Sequence, residues 1–277
     1  MRRLLLFTVW SLAWMSAQDQ AVSQQHPFPV FDSTNFAQEP DLSQYGLKRI
    51  PVVYPAYMWD SKEQSAQTNL PDRNRVNAFA QLAAQSSNIV VIDIEQWPLA
   101  GDPATVAASI TKLQTVIRWF KTPVPSMKVG FYGFPPLRDY WDSVQEEGSA
   151  RYKSWQTRND ALAPIAQLSD VLFPSLYTFY ADRTGWSKYA IAEIREARRY
   201  AGGKPVYVFL WPQYEAGGTL ANTFLPGDFW RAQLETAHQY ADGIVIWCCT
   251  GRQAWDDKAP WWLETQKFLK QIHPTQP

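Results

Sequence analysis

The chain has 277 residues, with 26 Lys and Arg against 26 Asp and Glu, so its formal net charge is zero. That balance removes the electrostatic argument for a nucleic-acid partner, and 46% hydrophobic against 19% charged residues excludes an extended disordered chain. Aromatic residues make up 15%, 14 of them Trp, and flat rings with polar edges suit both an ordinary core and a sugar-binding cleft.

Arg2 and Arg3 precede an apolar run from Leu4 to about Met15, which ends in the small residues Ser16 and Ala17. This is the pattern of a cleavable signal peptide over 1–17, and the run is shorter than the roughly 20 apolar residues of a membrane span. The expectation is a secreted or periplasmic protein with no membrane attachment after cleavage, and 18–277 as one domain. The two cysteines are adjacent, Cys248 and Cys249. They provide no lipid-attachment site, no metal-ligand set and no bridge between distant segments; they are a possible vicinal disulfide or a pair of thiols.

Strand-like runs then recur at wide spacing: Phe28 to Phe31, Arg49 to Tyr57, Asn88 to Glu95, Lys128 to Phe134, Asp170 to Tyr177, Pro205 to Pro212 and Asp242 to Cys248. Helical spacing fills the intervals at Arg73 to Ser86, Pro103 to Lys121, Ser154 to Leu168, Ser187 to Ala201, Pro226 to Ala241 and Pro260 to Ile272. Near-continuous apolar strands, each followed by a helix, predict an α/β fold with a parallel sheet covered by helices. No glycine-rich phosphate-binding turn follows any strand. A (β/α) barrel of TIM type with at most seven strands is therefore favoured over an open doubly wound sheet, its site among the strand C-terminal ends.

The segment VIDIEQW, Val91 to Trp97, is the sharpest chemical feature. Strand alternation puts Asp93 and Glu95 on one face and Ile92 and Ile94 on the other, with both acids where the apolar run ends. Like charges held that close do not both ionise cheaply, so one pKa should rise, as a general acid requires. Conventional glycosidases place two carboxyls on opposite sides of the scissile bond, roughly 5 to 9.5 Å apart. Two acids on one strand approach from a single side. Either a third carboxylate completes the pair, from Asp139, Asp182, Glu215 or Asp256, or the substrate supplies its own nucleophile.

Tyr54, Tyr57, Tyr132, Tyr177, Trp211 and Trp247 end strands, and Trp97 follows the two acids. Converging on one rim, such rings wall a cleft and offer hydroxyls to a sugar. The three histidines, His26, His238 and His273, have no metal-ligand spacing, and there is no G-x-S-x-G elbow. No metal or cofactor is expected.

Taken together, VIDIEQWP resembles the D-x-E strand of hyaluronidases, glycoside hydrolase family 56. VGFYGFPPLRDYW, DVLFPSLYT, KPVYVFLWP and DGIVIWCCT resemble four further family segments in the family's order, from about Arg49 to Trp255. The resemblance implies a distorted barrel with seven strands and retaining, endo-acting hydrolysis beside an N-acetylhexosamine. It implies Glu95 as acid/base, Asp93 as the carboxylate orienting the acetamido group whose carbonyl attacks C1, Tyr177 and Trp247 as residues holding that group, and Tyr132 in the cleft wall.

This sequence departs from the family pattern at Leu137 and Arg138, in place of Cys-Tyr, and at Cys248 and Cys249, in place of Gly-Ser. Zero net charge gives no independent reason to expect a polyanion, although Arg138 and Arg183 offer a local basic patch. A bridge between Cys248 and Cys249 would present an apolar step on the cleft floor. The expected partner is a polysaccharide of glycosaminoglycan type; the alternatives are a conventional pair, Glu95 with a distant acid such as Glu215, and a non-catalytic carbohydrate-binding barrel.

Overall fold

The computed structural model describes residues 28–60, 69–249 and 253–273, so the segment read as a signal peptide lies outside the described residues. Seven strand positions close into a parallel barrel. The first strand, β1 (Val30–Thr34), pairs with β7 (Gly243–Cys248), the last, over five residues from Val30 opposite Ile244 to Thr34 opposite Cys248. On its other side β1 meets β2 (Lys48–Arg49), which continues after Ile50 and Pro51 as β3 (Val52–Val53). Pro51 has no N–H to give to a ladder, and the strand changes partner there, from β1 to β4 (Ile89–Ile92). Next comes β5 (Lys128–Phe131).

The gap between β5 and β6 (Tyr207–Leu210) is filled by 171–178, which forms bridges rather than a continuous ladder because Pro174 interrupts it. Phe173 bridges Tyr132 on one side, while Leu172 and Ser175 bridge Val206 and Phe209 on the other. Gly130 makes this close approach possible: a Cβ there would sit 2.1 Å from the Val171 carbonyl oxygen. β6 pairs with β7 and the ring is complete. Each strand position corresponds to one of the apolar runs in the sequence, the distortion lying at the two prolines.

Inside the ring, Phe31, Ile50, Ile89, Val91, Phe173, Phe209 and Val245 fill the barrel. Outside it pack the helices α1 (Pro55–Met58), α2 (Arg73–Ala83), α3 (Pro103–Lys121), α4 (Ala150–Asp160), α5 (Ala163–Leu168), α6 (Arg183–Ala201), α7 (Gly227–Tyr240) and α8 (Pro260–Ile272). The α3 start follows from local chemistry: Asp102 accepts from the Thr105 amide and Pro103 occupies the first turn, where a missing N–H costs nothing.

Two expectations are corrected. The helix expected over Ser154 to Leu168 is two, α4 and α5, because Pro164 cannot donate to the turn before it and restarts the helix instead. The strand expected to reach Tyr57 ends at Val53, since Pro55 opens α1 immediately after Tyr54. No helix of the described residues is long and apolar enough to cross a membrane.

Candidate active site

The alternation that buries Ile89 and Val91 in the barrel carries on past the end of β4, so Asp93 and Glu95 project from the same side into the mouth. Ile92 and Ile94 point the opposite way, into the helix layer. A cavity of about 200 Å³ opens there, lined by Asp93, Glu95, Tyr132, Tyr177, Trp211, Glu215 and Trp247, with Val52 and Phe209 below. A second hollow of about 250 Å³ adjoins it across Glu95 and Tyr132 and is bounded by Trp97, Leu137, Arg138 and Ser175.

Among the described residues no cation pairs with Asp93 or Glu95. Burial, reinforced by the Glu95 charge, pushes the Asp93 carboxyl up to about 7. Of the two acids it is therefore Asp93, the deeper one, whose proton is held toward neutrality, while Glu95 is exposed at the mouth.

The rings form a continuous wall. Tyr177 stacks on Trp247 at 5.7 Å between centroids and lies edge-on to Trp211 at 5.4 Å; Trp211 in turn meets Trp247 edge-on at 4.9 Å. Tyr132 packs against Tyr177 at 5.7 Å, and its hydroxyl lies 3.1 Å from that of Ser175. Burial drives the Tyr177 phenol well above its ordinary range, so it remains a neutral hydrogen-bonding group.

Not every candidate reaches the cavity. Tyr57, carried off by α1, is 52% exposed and packs on Tyr54 and Phe79 instead. Trp97 borders the second hollow but is 2% exposed, packed against Trp59 with the Lys112 ammonium over its ring. Of the four third-acid candidates, Asp139 pairs with Arg158, Asp182 caps α6 and Asp256 accepts from the Lys258 amide. Only Glu215 lines the cavity, and Arg138 holds both its oxygens at 2.9 and 2.7 Å.

The basic patch is also corrected. Arg138 is tied to Glu215 and Arg183 to Asp228, so neither guanidinium is a free cation at the cleft. The cysteine sulfurs are bonded to each other, but they do not floor the cleft. Alternation turns Trp247 inward and Cys248 outward, where Cys248 is buried in the layer between barrel and helices. Cys249 follows with φ +68°, a left-handed conformation uncommon outside glycine.

Three contributors escaped the sequence reading: Phe209, Ser175 and the pairing of Arg138 with Glu215. Phe209 was discoverable, since it shares the inward parity of Trp211 on the same strand. The ion pair joins residues 77 positions apart and has no local signal.

The hyaluronidase family model matches residues 104–260, a span that begins after the two acids and includes Tyr132, Tyr177, Glu215 and Trp247. No curated protein matches the chain in sequence. In structure the chain is similar to bee venom hyaluronidase, with TM-scores of 0.60 for the monoclinic crystal form and 0.59 for a complex with a hyaluronic acid tetramer. Identity is 16% in each case, over 88% of this chain and 96% of the bee chain. The family match spans more than half of the sequence and the barrel is shared along nearly all of it: the chain belongs to the hyaluronidase family and is a glycoside hydrolase.

Proposed function

We propose that the protein is exported and cleaves a polysaccharide of glycosaminoglycan type internally, next to an N-acetylhexosamine, by substrate-assisted retaining hydrolysis. The observation that carries this reading is the one-sidedness of the usable acids. Asp93 and Glu95 share one strand end, and Glu215, the other carboxylate at the cavity, has both oxygens engaged by Arg138. A nucleophile from the opposite face then has to come from the sugar. The solved complex of the bee enzyme with a hyaluronic acid tetramer supports the polymer class. Arg2, Arg3 and the apolar run from Leu4 support export.

In this reading the scissile oxygen lies over Glu95, between the two hollows, with the N-acetylhexosamine against Tyr177 and Trp247. The acetamido N–H donates to Asp93 and draws it into the carboxylate form. Glu95, at the border of the two hollows, is the general acid for the leaving oxygen. As the C1–O bond breaks, Glu95 gives up its proton to the leaving oxygen and the acetamido carbonyl oxygen bonds to C1 from the other face. Asp93 offsets the positive charge of the resulting ring. Water, deprotonated by Glu95, then opens it, and two inversions leave the configuration retained.

The test is turnover and product analysis on paired polymers with and without N-acetyl groups. Cleavage only of the N-acetylated member, with retained anomeric configuration, is expected. Equal cleavage of a polymer lacking N-acetyl groups would transfer the assignment to Glu95 with Glu215 as a conventional pair, the reading that Glu215 at the cavity favours.

A further inference from the structure

Beyond the cleft, on the same end of the barrel, lies an aromatic hollow of about 360 Å³ that the catalytic reading does not use. Its outer edge is formed by Trp141, 61% exposed, and Tyr180, 54% exposed, with ring centroids 5.9 Å apart. The two rings together form a contiguous exposed aromatic surface, the kind of feature that marks recognition sites.

The hollow continues the cleft wall. Tyr177 and Arg138 border the two cleft hollows, and the chain passes directly from them to Phe179 and Tyr180 and to Tyr140 and Trp141. The Arg138 guanidinium, while bound to Glu215, lies over both Tyr140 and Phe179 at 5.8 and 5.7 Å. The Tyr140 hydroxyl donates to the backbone oxygen of Tyr177 at 2.7 Å. One side of this aromatic and ionic partition faces the cleft, the other faces the hollow.

The chemistry of the hollow suits a sugar face. Its buried polar groups are engaged within the fold: Tyr189 donates to the Ser175 carbonyl and the Trp186 indole to the Leu176 carbonyl, while at the exposed rim Asp182 accepts from the Gly185 amide. What the hollow chiefly offers a ligand is ring surface, which packs against the C–H face of a pyranose. The mount of Trp141 is also held. The Asp139 carboxylate accepts from the amides of Trp141 and Asp142 at 2.9 and 2.7 Å and pairs with Arg158 at 2.6 Å. A backbone fixed in this way leaves only the two side-chain torsions of Trp141 to be ordered on binding.

We propose that Trp141 and Tyr180 form a distal platform that binds sugar units of the polysaccharide lying outside the reacting subsites. The inference rests on the glycosidase reading above and adds to it a site outside the reacting subsites, which favours long chains over short ones.

The experiment measures kcat/KM on the polymer and on the shortest oligosaccharide that is cut, for wild type, Trp141→Ala, Tyr180→Ala and Trp141→Phe, with Leu82→Ala, an exposed change on α2, as control. The ratio of polymer to oligosaccharide kcat/KM is expected to fall about 5- to 20-fold for each alanine variant, through KM, to recover largely in Trp141→Phe, and to stay at the wild-type value in Leu82→Ala. An unaltered ratio in both alanine variants overturns the platform while leaving the glycosidase reading intact. Absence of wild-type turnover on every N-acetylated glycan overturns both.

Discussion

The indole Nε1 of Trp247 donates a 2.7 Å hydrogen bond to the phenolic oxygen of Tyr54, a residue 193 positions earlier in the chain. Tyr54 directly follows the second strand position and Trp247 belongs to the last, two positions that flank β1, so the bond crosses over the end of β1 and orients a ring of the cavity wall. Tyr54→Phe removes the acceptor without removing the ring. The loosened indole should raise KM about 3- to 10-fold and leave kcat within about twofold, since one neutral hydrogen bond contributes about 1 kcal/mol. Steady-state kinetics on the N-acetylated polymer checks this; a loss confined to kcat would contradict it.

Asp93 is the reverse of an ion-paired carboxylate. Its folded pKa, about 7, lies above the ordinary 3.8 because burial and Glu95 disfavour its charge. The unfolded chain therefore releases this proton first, and folding stability falls as pH rises from about 4 to about 7, after which the full cost is present. That cost is on the order of 2 to 4 kcal/mol. Asp93→Asn should be close to neutral for stability near pH 4 and increasingly stabilising up to pH 7, while activity is lost. Urea denaturation of both proteins across pH 4 to 8 reads the difference; parallel curves would show that Asp93 does not titrate in this way.

Glu95→Gln removes the one acid that, among the described residues, lies between the two hollows and should lower kcat by about 10² to 10⁴, with binding of an N-acetylated oligosaccharide retained. Glu215→Gln should cost less than about tenfold. A larger loss at Glu215 than at Glu95 would favour the conventional pair. Glycan binding by wild type with no turnover on a broad panel would favour a binding barrel.

Arg138→Ala leaves the Glu215 carboxylate partly buried and without its counter-charge. A loss of about 1 to 3 kcal/mol in unfolding free energy is expected, and the double variant Arg138→Ala/Glu215→Ala should regain part of it. Thermal or urea unfolding of the three variants and wild type closes the cycle. If the double variant equals the sum of the singles, the pair is not coupled.

Cys248 and Cys249 are bonded to each other, so the denatured, unreduced protein should show no reactive thiol, and two after reduction. A count of two before reduction would remove the bridge from the account.

Much of the architecture is legible in the sequence because its physical causes are local. Apolar runs such as Ile89–Ile92 and Gly243–Cys248 form buried parallel strands wherever they are embedded, and Asp102 with Pro103 starts α3 without outside help. Side-chain parity places Asp93 and Glu95 together for the same reason: a strand alternates whatever surrounds it. The pattern fails at Tyr57 and in the helix near Pro164, where a proline redirects the chain within one or two residues of an otherwise regular run.

What the linear order of residues determined, then, is the alternation of strands and helices, the shared face of two acids and the supply of rings at strand ends. Only the closed barrel decided that Asp93 rather than Glu95 is the buried partner, that Glu215 reaches the cavity already bound by Arg138, that the cysteine bridge lies behind the wall, and that Trp141 and Tyr180 stand side by side. Each of these depends on desolvation or on contact between segments tens of residues apart, and both come into being only when the ring closes.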